Sequence, residues 1–121
     1  MDNLPILEFE TADLLRDWLE SHHATSKGIW VRIYRKSSQI RSVAFEQLLD
    51  EGLCFGWSES SRCKYDDISY LQKFTPRKTT GTQSARNLAR VQALLKQGKM
   101  KPSGLEALGM DKEKWFKEQE P

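Results

Sequence analysis

The chain alternates between stretches in which apolar residues recur every three or four positions and shorter ones in which they recur every second position. Thr11 precedes Leu14, Leu15, Trp18 and Leu19. This helical spacing behind a capping residue predicts a first helix that ends near His23 and lays one stripe on the core. Gly28 then opens a segment to Lys36 in which β-branched Ile29, Val31 and Ile33 alternate with Trp30, Arg32 and Tyr34, which predicts a strand. Two aromatic rings flank an arginine on its second face, so that face is expected under a helix rather than open to water. After a polar turn at Ser37-Ser38-Gln39, Ser42 is placed to cap a second helix through Leu53. Phe45, Leu48, Leu49 and Leu53 would point inward, and Cys54-Phe55-Gly56 would form the corner. Gly52 weakens the last turn by about 1 kcal/mol relative to alanine.

Trp57 to Tyr65 and Ile68 to Thr75 read as a hairpin joined across Asp66-Asp67. An even-length loop puts Trp57, Glu59, Ser61, Cys63 and Tyr65 on one face with Ile68, Tyr70, Gln72 and Phe74. The other face then carries Ser58, Ser60, Arg62 and Lys64 with Ser69, Leu71, Lys73 and Thr75. One side is mostly aromatic and the other mostly basic and hydroxylic. An odd-length loop or a bulge would break this register, and Asp-Asp is not an ideal tight-turn pair.

Past Pro76, the polar connector Lys78-Thr79-Thr80-Gly81-Thr82-Gln83 has no apolar anchor and is the expected mobile loop. Ser84 is placed to cap a third helix with Leu88, Val91, Leu94 and Leu95 inward and Gly98 as its stop. Pro102 starts a short fourth helix through Leu108. Asp111 to Lys117 can add a last turn or two that docks Trp115 and Phe116, and residues 118–121 should fray. These elements predict a single α+β domain over residues 1–121: an antiparallel sheet of three or more strands, packed by an N-terminal helix, a middle helix and a C-terminal helical cap over about 84–117.

At 121 residues, one such domain buries roughly two thirds of the surface its unfolded chain would expose. With 38% hydrophobic and 30% charged residues the composition lies in the globular range rather than the disordered one. The start of the chain shows no cationic leader and no apolar stretch nears the length of a membrane span, which predicts a soluble, cytoplasmic protein without a transmembrane segment. Cys54 and Cys63 fit neither a zinc-ribbon spacing nor a dithiol motif, so free buried thiols are expected, with one disulfide as the alternative.

Charge changes the picture most. The net charge is only +2, yet no acid occurs between Asp67 and Glu106, where Lys73, Arg77, Lys78, Arg86, Arg90, Lys96, Lys99 and Lys101 lie. The segments before, within and after this stretch carry −4, +8 and −2. Such a basic segment suits an anionic partner, with nucleic acid as one alternative, or is simply a solvated helix face. Lys73, Arg77 and Lys78 precede the N-terminus of the Ser84 helix, where free N–H groups favour anions, and Thr75, Thr79, Thr80, Thr82 and Ser84 offer hydroxyls. At most four or five of the charges can converge, because Arg86, Arg90 and Lys96 lie on outward helix positions.

Several motifs in fixed order resemble the YdeI/OmpD-associated family of bacterial proteins. They are Leu53-Cys54-Phe55-Gly56-Trp57, then Ser69 through Thr75-Pro76-Arg77-Lys78, Asn87, and Gly98-Lys99-Met100-Lys101-Pro102-Ser103-Gly104. Trp18-Leu19, His22-His23 and Gly28-Ile29-Trp30 fit as well, so the resemblance spans about Leu7 to Leu108. It implies a bacterial cytosolic protein, an α+β fold related to the YjbR/CyaY-like group, and a role in bacteriocin protection or porin association. It implies no catalytic residue. The chain departs from the family at Ser58-Glu59-Ser60, where the pattern tends to read Ile-Asp-Gly, and at Gln83, where it tends to have tryptophan.

Glu59 falls beside Trp57 and opposite Phe74 on the aromatic face, where a carboxylate must be paired or titrate higher than usual. It is either a general acid/base or ligand anchor near Arg77, or a structural ion pair at the hairpin end. Adjacent His22 and His23 point about 100° apart on a helix and rarely share a metal, and Cys54 as a nucleophile would need a base such as His22 nearby. Trp30, Tyr34, Trp57, Tyr70 and Phe74 are either stacking platforms or core. There is no P-loop, GxGxxG, HExxH or GxSxG motif, and no metal or cofactor is expected. The expected function is that of a non-enzymatic binding protein of the YdeI/OmpD-associated type, in bacteriocin tolerance or envelope stress, with a protein or anionic partner. Anion or nucleic-acid binding through residues 73–101 is one alternative; a small-ligand or enzyme site around Glu59 and Arg77 is the other. The candidate ligand-binding residues are Trp57, Glu59, Lys73, Arg77, Lys78, Ser84, Arg86 and Asn87.

Overall fold

A four-stranded open sheet in the order β1-β2-β4-β3 organises the molecule. The structure is a computed structural model that describes residues 2–78 and 85–109, with the backbone alone at residues 85 and 86. In chain order the elements are β1 (Ile6–Glu8), α1 (Ala12–His22), β2 (Ile29–Tyr34), a single 3₁₀ turn (Lys36–Ser38), α2 (Phe45–Phe55), β3 (Trp57–Lys64), β4 (Ser69–Pro76), α3 (Ala85–Lys96) and α4 (Pro102–Ala107). Strands β2, β4 and β3 pair antiparallel, as expected, and β1 adds a parallel edge that the sequence pattern did not reveal. The fold is α+β, with helices packing a mixed sheet. The expected Ser84 cap, the connector hydroxyls at 79–82 and the terminal turn at 111–117 with Trp115 and Phe116 lie outside the described residues, as does the frayed tail 118–121.

Local chemistry accounts for most boundaries. The Thr11 Oγ1 accepts the Leu14 N–H at 3.2 Å, and α1 buries Leu15 and Leu19 completely. Leu14 sits a hundred degrees round from Leu15 and stays about half exposed, against expectation. The start of α2 also differs: the helix begins at Phe45, where the Gln47 side chain accepts the Ala44 N–H at 2.9 Å. Ser42 is no cap, because its Oγ instead accepts the Tyr34 N–H at 3.0 Å and ties the loop to the end of β2. Helix α2 is the central element, in contact with β3, α1, α3 and α4. Gly52 earns its place there, since a Cβ would lie 2.9 Å from the Trp57 carbonyl and from the Phe74 ring. On α3, Val91, Leu94 and Leu95 point inward while Leu88, expected inside, is exposed. Gly98, at φ +71°, ends the helix as anticipated, and the next N–H, from Lys99, reaches back to the Leu94 carbonyl at 3.0 Å.

The sheet has one face turned to the helices. Ile29, Val31 and Ile33 share it with Phe74, Gln72 and Tyr70 of β4, and Trp57 joins them from β3. Near the open end of the hairpin the register matches expectation, with Ser58 opposite Thr75 and Glu59 opposite Phe74. A bulge between Glu59 and Arg62 then inserts one residue, so Arg62 faces Gln72 and Cys63 faces Leu71. Arg62 and Lys64 therefore leave the hydroxylic face for the Tyr70 face. Buried Gln72 explains the insertion: its Nε2 donates to the Ser61 carbonyl at 3.0 Å, and its Oε1 accepts from the Arg62 Nε at 3.1 Å.

Among the described residues, no helix covers the outer face of β2, which corrects the expectation for Trp30, Arg32 and Tyr34. Side chains close it instead. The Arg32 guanidinium donates to Ser69 at 3.0 Å, Asp66 at 2.7 Å and Glu8 at 3.2 Å, and lies 4.5 Å from the Tyr34 ring and 4.8 Å from that of Tyr65.

Candidate functional site

Strand order decides which charges meet. Ile29 pairs with Phe74, so the residues just before β2 lie beside the end of β4. Gly28, at φ +136°, makes that approach feasible, because a Cβ there would sit 2.6 Å from Thr75 Cγ2. Lys27 is thereby brought to the basic, hydroxylic outer face of the hairpin. Together these residues line a groove of about 610 Å³. Its cations are Lys27, Lys73, Arg77 and Lys78, its hydroxyls Ser58, Ser60 and Thr75, and its apolar members Leu4 and Pro76. The Arg77 N–H donates to the Gly56 carbonyl at 2.9 Å and anchors the strand extension that carries it.

One carboxylate touches the groove from the side. Asp2 accepts from the Lys73 Nζ at 2.8 Å, from the Trp30 Nε1 at 2.9 Å and from the Leu4 N–H at 3.2 Å. The Lys73 ammonium, and after it the Trp30 indole, hold the Asp2 carboxyl down to about 2. Trp30 itself is 6% exposed, so its N–H has little access to solvent.

Of the expected site residues, Lys73, Arg77 and Lys78 come together in this groove. Trp57 does not: it is 1% exposed, with its ring 5.7 Å from Trp18 and 5.1 Å from Phe74 and its Nε1 donating to the His23 carbonyl at 3.3 Å. Glu59 alternates to the opposite face from Ser58, is partly exposed and is not a groove residue. Asn87 lies on α3 and does not line the groove. Ser84 and the Arg86 side chain lie outside the described residues. Lys27 was missed, since its place depends on a strand pairing that neighbouring residues do not announce. The rest of the basic segment disperses: Arg90 pairs with Asp50 at 2.7 Å and Lys101 with Glu20 at 2.7 Å.

A second cavity, of about 390 Å³, opens between α1, α2 and α3, and four of its charges pair, Arg16 with Glu51 and Arg90 with Asp50. The Arg16 Nη1 donates to both Glu51 oxygens at 3.1 and 2.9 Å, and its Nη2 donates to the Lys99 carbonyl. Burial pushes the Glu51 carboxyl up, and Arg16 opposes the shift. Burial also pushes the Cys54 thiol up to about 11, with Arg16 again opposing, so Cys54 is poorly suited to act as a nucleophile. Both cysteines are free, and Cys63 is only partly buried. The Nδ1 atoms of His22 and His23 lie 2.9 and 2.8 Å from the Trp18 and Leu19 carbonyls, which can only accept, so both point back along the helix. Among the described residues no group of three or more His, Cys, Asp or Glu is placed to hold a metal, and no helix is long and apolar enough to cross a membrane.

A family described as a domain of unknown function (DUF8412) matches residues 7–107, and the chain belongs to that family. No curated protein and no solved structure matches the chain.

Proposed function

Taking membership of the DUF8412 family as the premise, we propose that the domain binds an oxyanionic, phosphate-bearing ligand in the groove at the open end of the hairpin. One observation carries the reading: four cations and three hydroxyls line a single groove whose described lining residues include no carboxylate. Cations on low-dielectric walls concentrate anions, and hydroxyls supply neutral donors to oxygens that charge alone would not orient. A part in bacteriocin tolerance or envelope stress rests on the motif resemblance alone, and both it and a cytoplasmic location are compatible with such a ligand.

A labelled single-stranded oligonucleotide serves as a polyanion probe, titrated at about 50 and 200 mM salt. Four groove cations predict an affinity loss of roughly 50-fold over that range, whereas an extended track with six phosphate contacts predicts about 300-fold. The groove reading expects the smaller loss, and binding abolished by Lys27→Ala with Arg77→Ala. No binding at the lower salt, either of this probe or of phenyl phosphate, overturns it. The larger loss, insensitive to those two substitutions, favours nucleic-acid binding along the whole basic segment.

A further inference from the structure

The groove already receives one anion, from the chain itself. Lys73 and Trp30 are cross-strand partners on β4 and β2, so their donors are set by the sheet rather than by a loop. Both converge on the Asp2 carboxylate, at 2.8 and 2.9 Å. A buried indole N–H needs an acceptor, and an ammonium that lies 5.8 Å from the same ring centroid needs a counter-charge. The pair is an oxyanion seat built on rigid elements.

Asp2 fills that seat incompletely. It brings one negative charge and two oxygens to a groove that also holds Lys27, Lys78 and three hydroxyls. A phosphate monoester brings close to two charges and three acceptor oxygens. Among the described residues the groove has no aromatic in its lining, and Trp30 turns its N–H edge toward Asp2. Those residues offer a polynucleotide no ring face on which to stack its bases. Of the helix cations, Arg90 and Lys101 are held in ion pairs rather than continuing the groove as a track. We infer that the ligand is a compact phosphate monoester whose phosphoryl oxygens replace the Asp2 carboxylate on Lys73 and Trp30, while Lys27, Arg77 and the hydroxyls close around it. The inference rests on the groove reading and adds the ligand class and the seat.

The test is a titration with phenyl phosphate, followed by calorimetry and by the indole N–H resonance of Trp30. Wild-type protein is expected to bind saturably with a shift of that resonance. Asp2→Asn, an isosteric change at an exposed arm that removes the resident charge, is expected to tighten binding about fivefold. Phenyl sulfate, with one charge fewer, is expected to bind more weakly in both proteins. Binding that moves the Trp30 resonance but is unaltered by Asp2→Asn overturns the displacement, and equal affinity for sulfate and phosphate overturns the ligand class. If phenyl phosphate fails while the oligonucleotide still binds through Lys27 and Arg77, this inference falls and the groove reading stands. If neither binds, both fall.

Discussion

Replacing Gly104 by alanine sets two known effects against each other. Alanine is the better helix former by up to about 1 kcal/mol, so propensity alone predicts a more stable protein. The packing predicts the reverse. Gly104 is buried in the first turn of α4, pressed against the end of α2, and a Cβ there would lie 2.5 Å from the Leu53 carbonyl oxygen and nearer still to that of Cys54. An ordinary carbon–oxygen contact is about 3.3 Å, so α4 must retreat by roughly 1 Å. That retreat breaks the bond from the Lys101 N–H to the Cys54 carbonyl, now 3.0 Å, at about 1 kcal/mol. It also opens space round Leu105 and Leu108, which are 0% and 3% exposed, at about 1 kcal/mol for each methyl-sized void. The net expectation is a loss of about 2 kcal/mol. Urea unfolding followed by tryptophan fluorescence should show a midpoint lower by about 1 M at unchanged slope. Gly98→Ala is a control in which no atom lies within 4 Å of the new Cβ and only the left-handed backbone, φ +71°, is strained, at about 1 kcal/mol. A Gly104→Ala midpoint at or above the wild-type value refutes the account of the α2–α4 contact.

Two further outcomes follow from the titratable groups. Asp2 is held at about 2 against an ordinary 3.8, so its folded value lies below its unfolded one; its stabilising contribution is present above 3.8 and is lost as pH falls towards 2. Unfolding midpoints measured from pH 5 to 2 should therefore drop more steeply in wild-type protein than in Asp2→Asn, and parallel curves would refute the Lys73 and Trp30 pairing. With its thiol pushed to about 11 and buried, Cys54 should resist an aromatic disulfide reagent at pH 8 until the protein unfolds, while the partly exposed Cys63 reacts in the native state; two fast equivalents from folded protein would contradict this placement.

Much of the architecture was legible because local rules and tertiary structure agree. Thr11, Gly98 and Pro102 mark helix ends by their own local chemistry, and β2 alternates because one of its faces is core. The misses occur where a distant partner overrides the local signal. Ser42 caps nothing because Tyr34 claims its oxygen, and the bulge in β3 answers the side chain of Gln72 on another strand. β1 is three residues long, too short for any periodicity. In the groove, Lys73, Arg77 and Lys78 were visible as neighbours in sequence, and the outer-face alternation of Ser58 and Thr75 was readable from the hairpin. Lys27 and the Asp2 to Trp30 contact were not, since both depend on β2 lying between β1 and β4.

The bulge in β3 has a consequence at the rim of the sheet. β3 is the outermost strand on its side, and a straight one would expose a flat row of free N–H and C=O groups that a second chain could extend. The extra residue twists that row, and exposed Arg62 and Lys64 lie at or next to it, long and charged where a docking strand would need to lie close. On the opposite rim β1 offers only three residues. The irregularity that satisfies a buried glutamine thus also guards an open sheet against strand-by-strand aggregation.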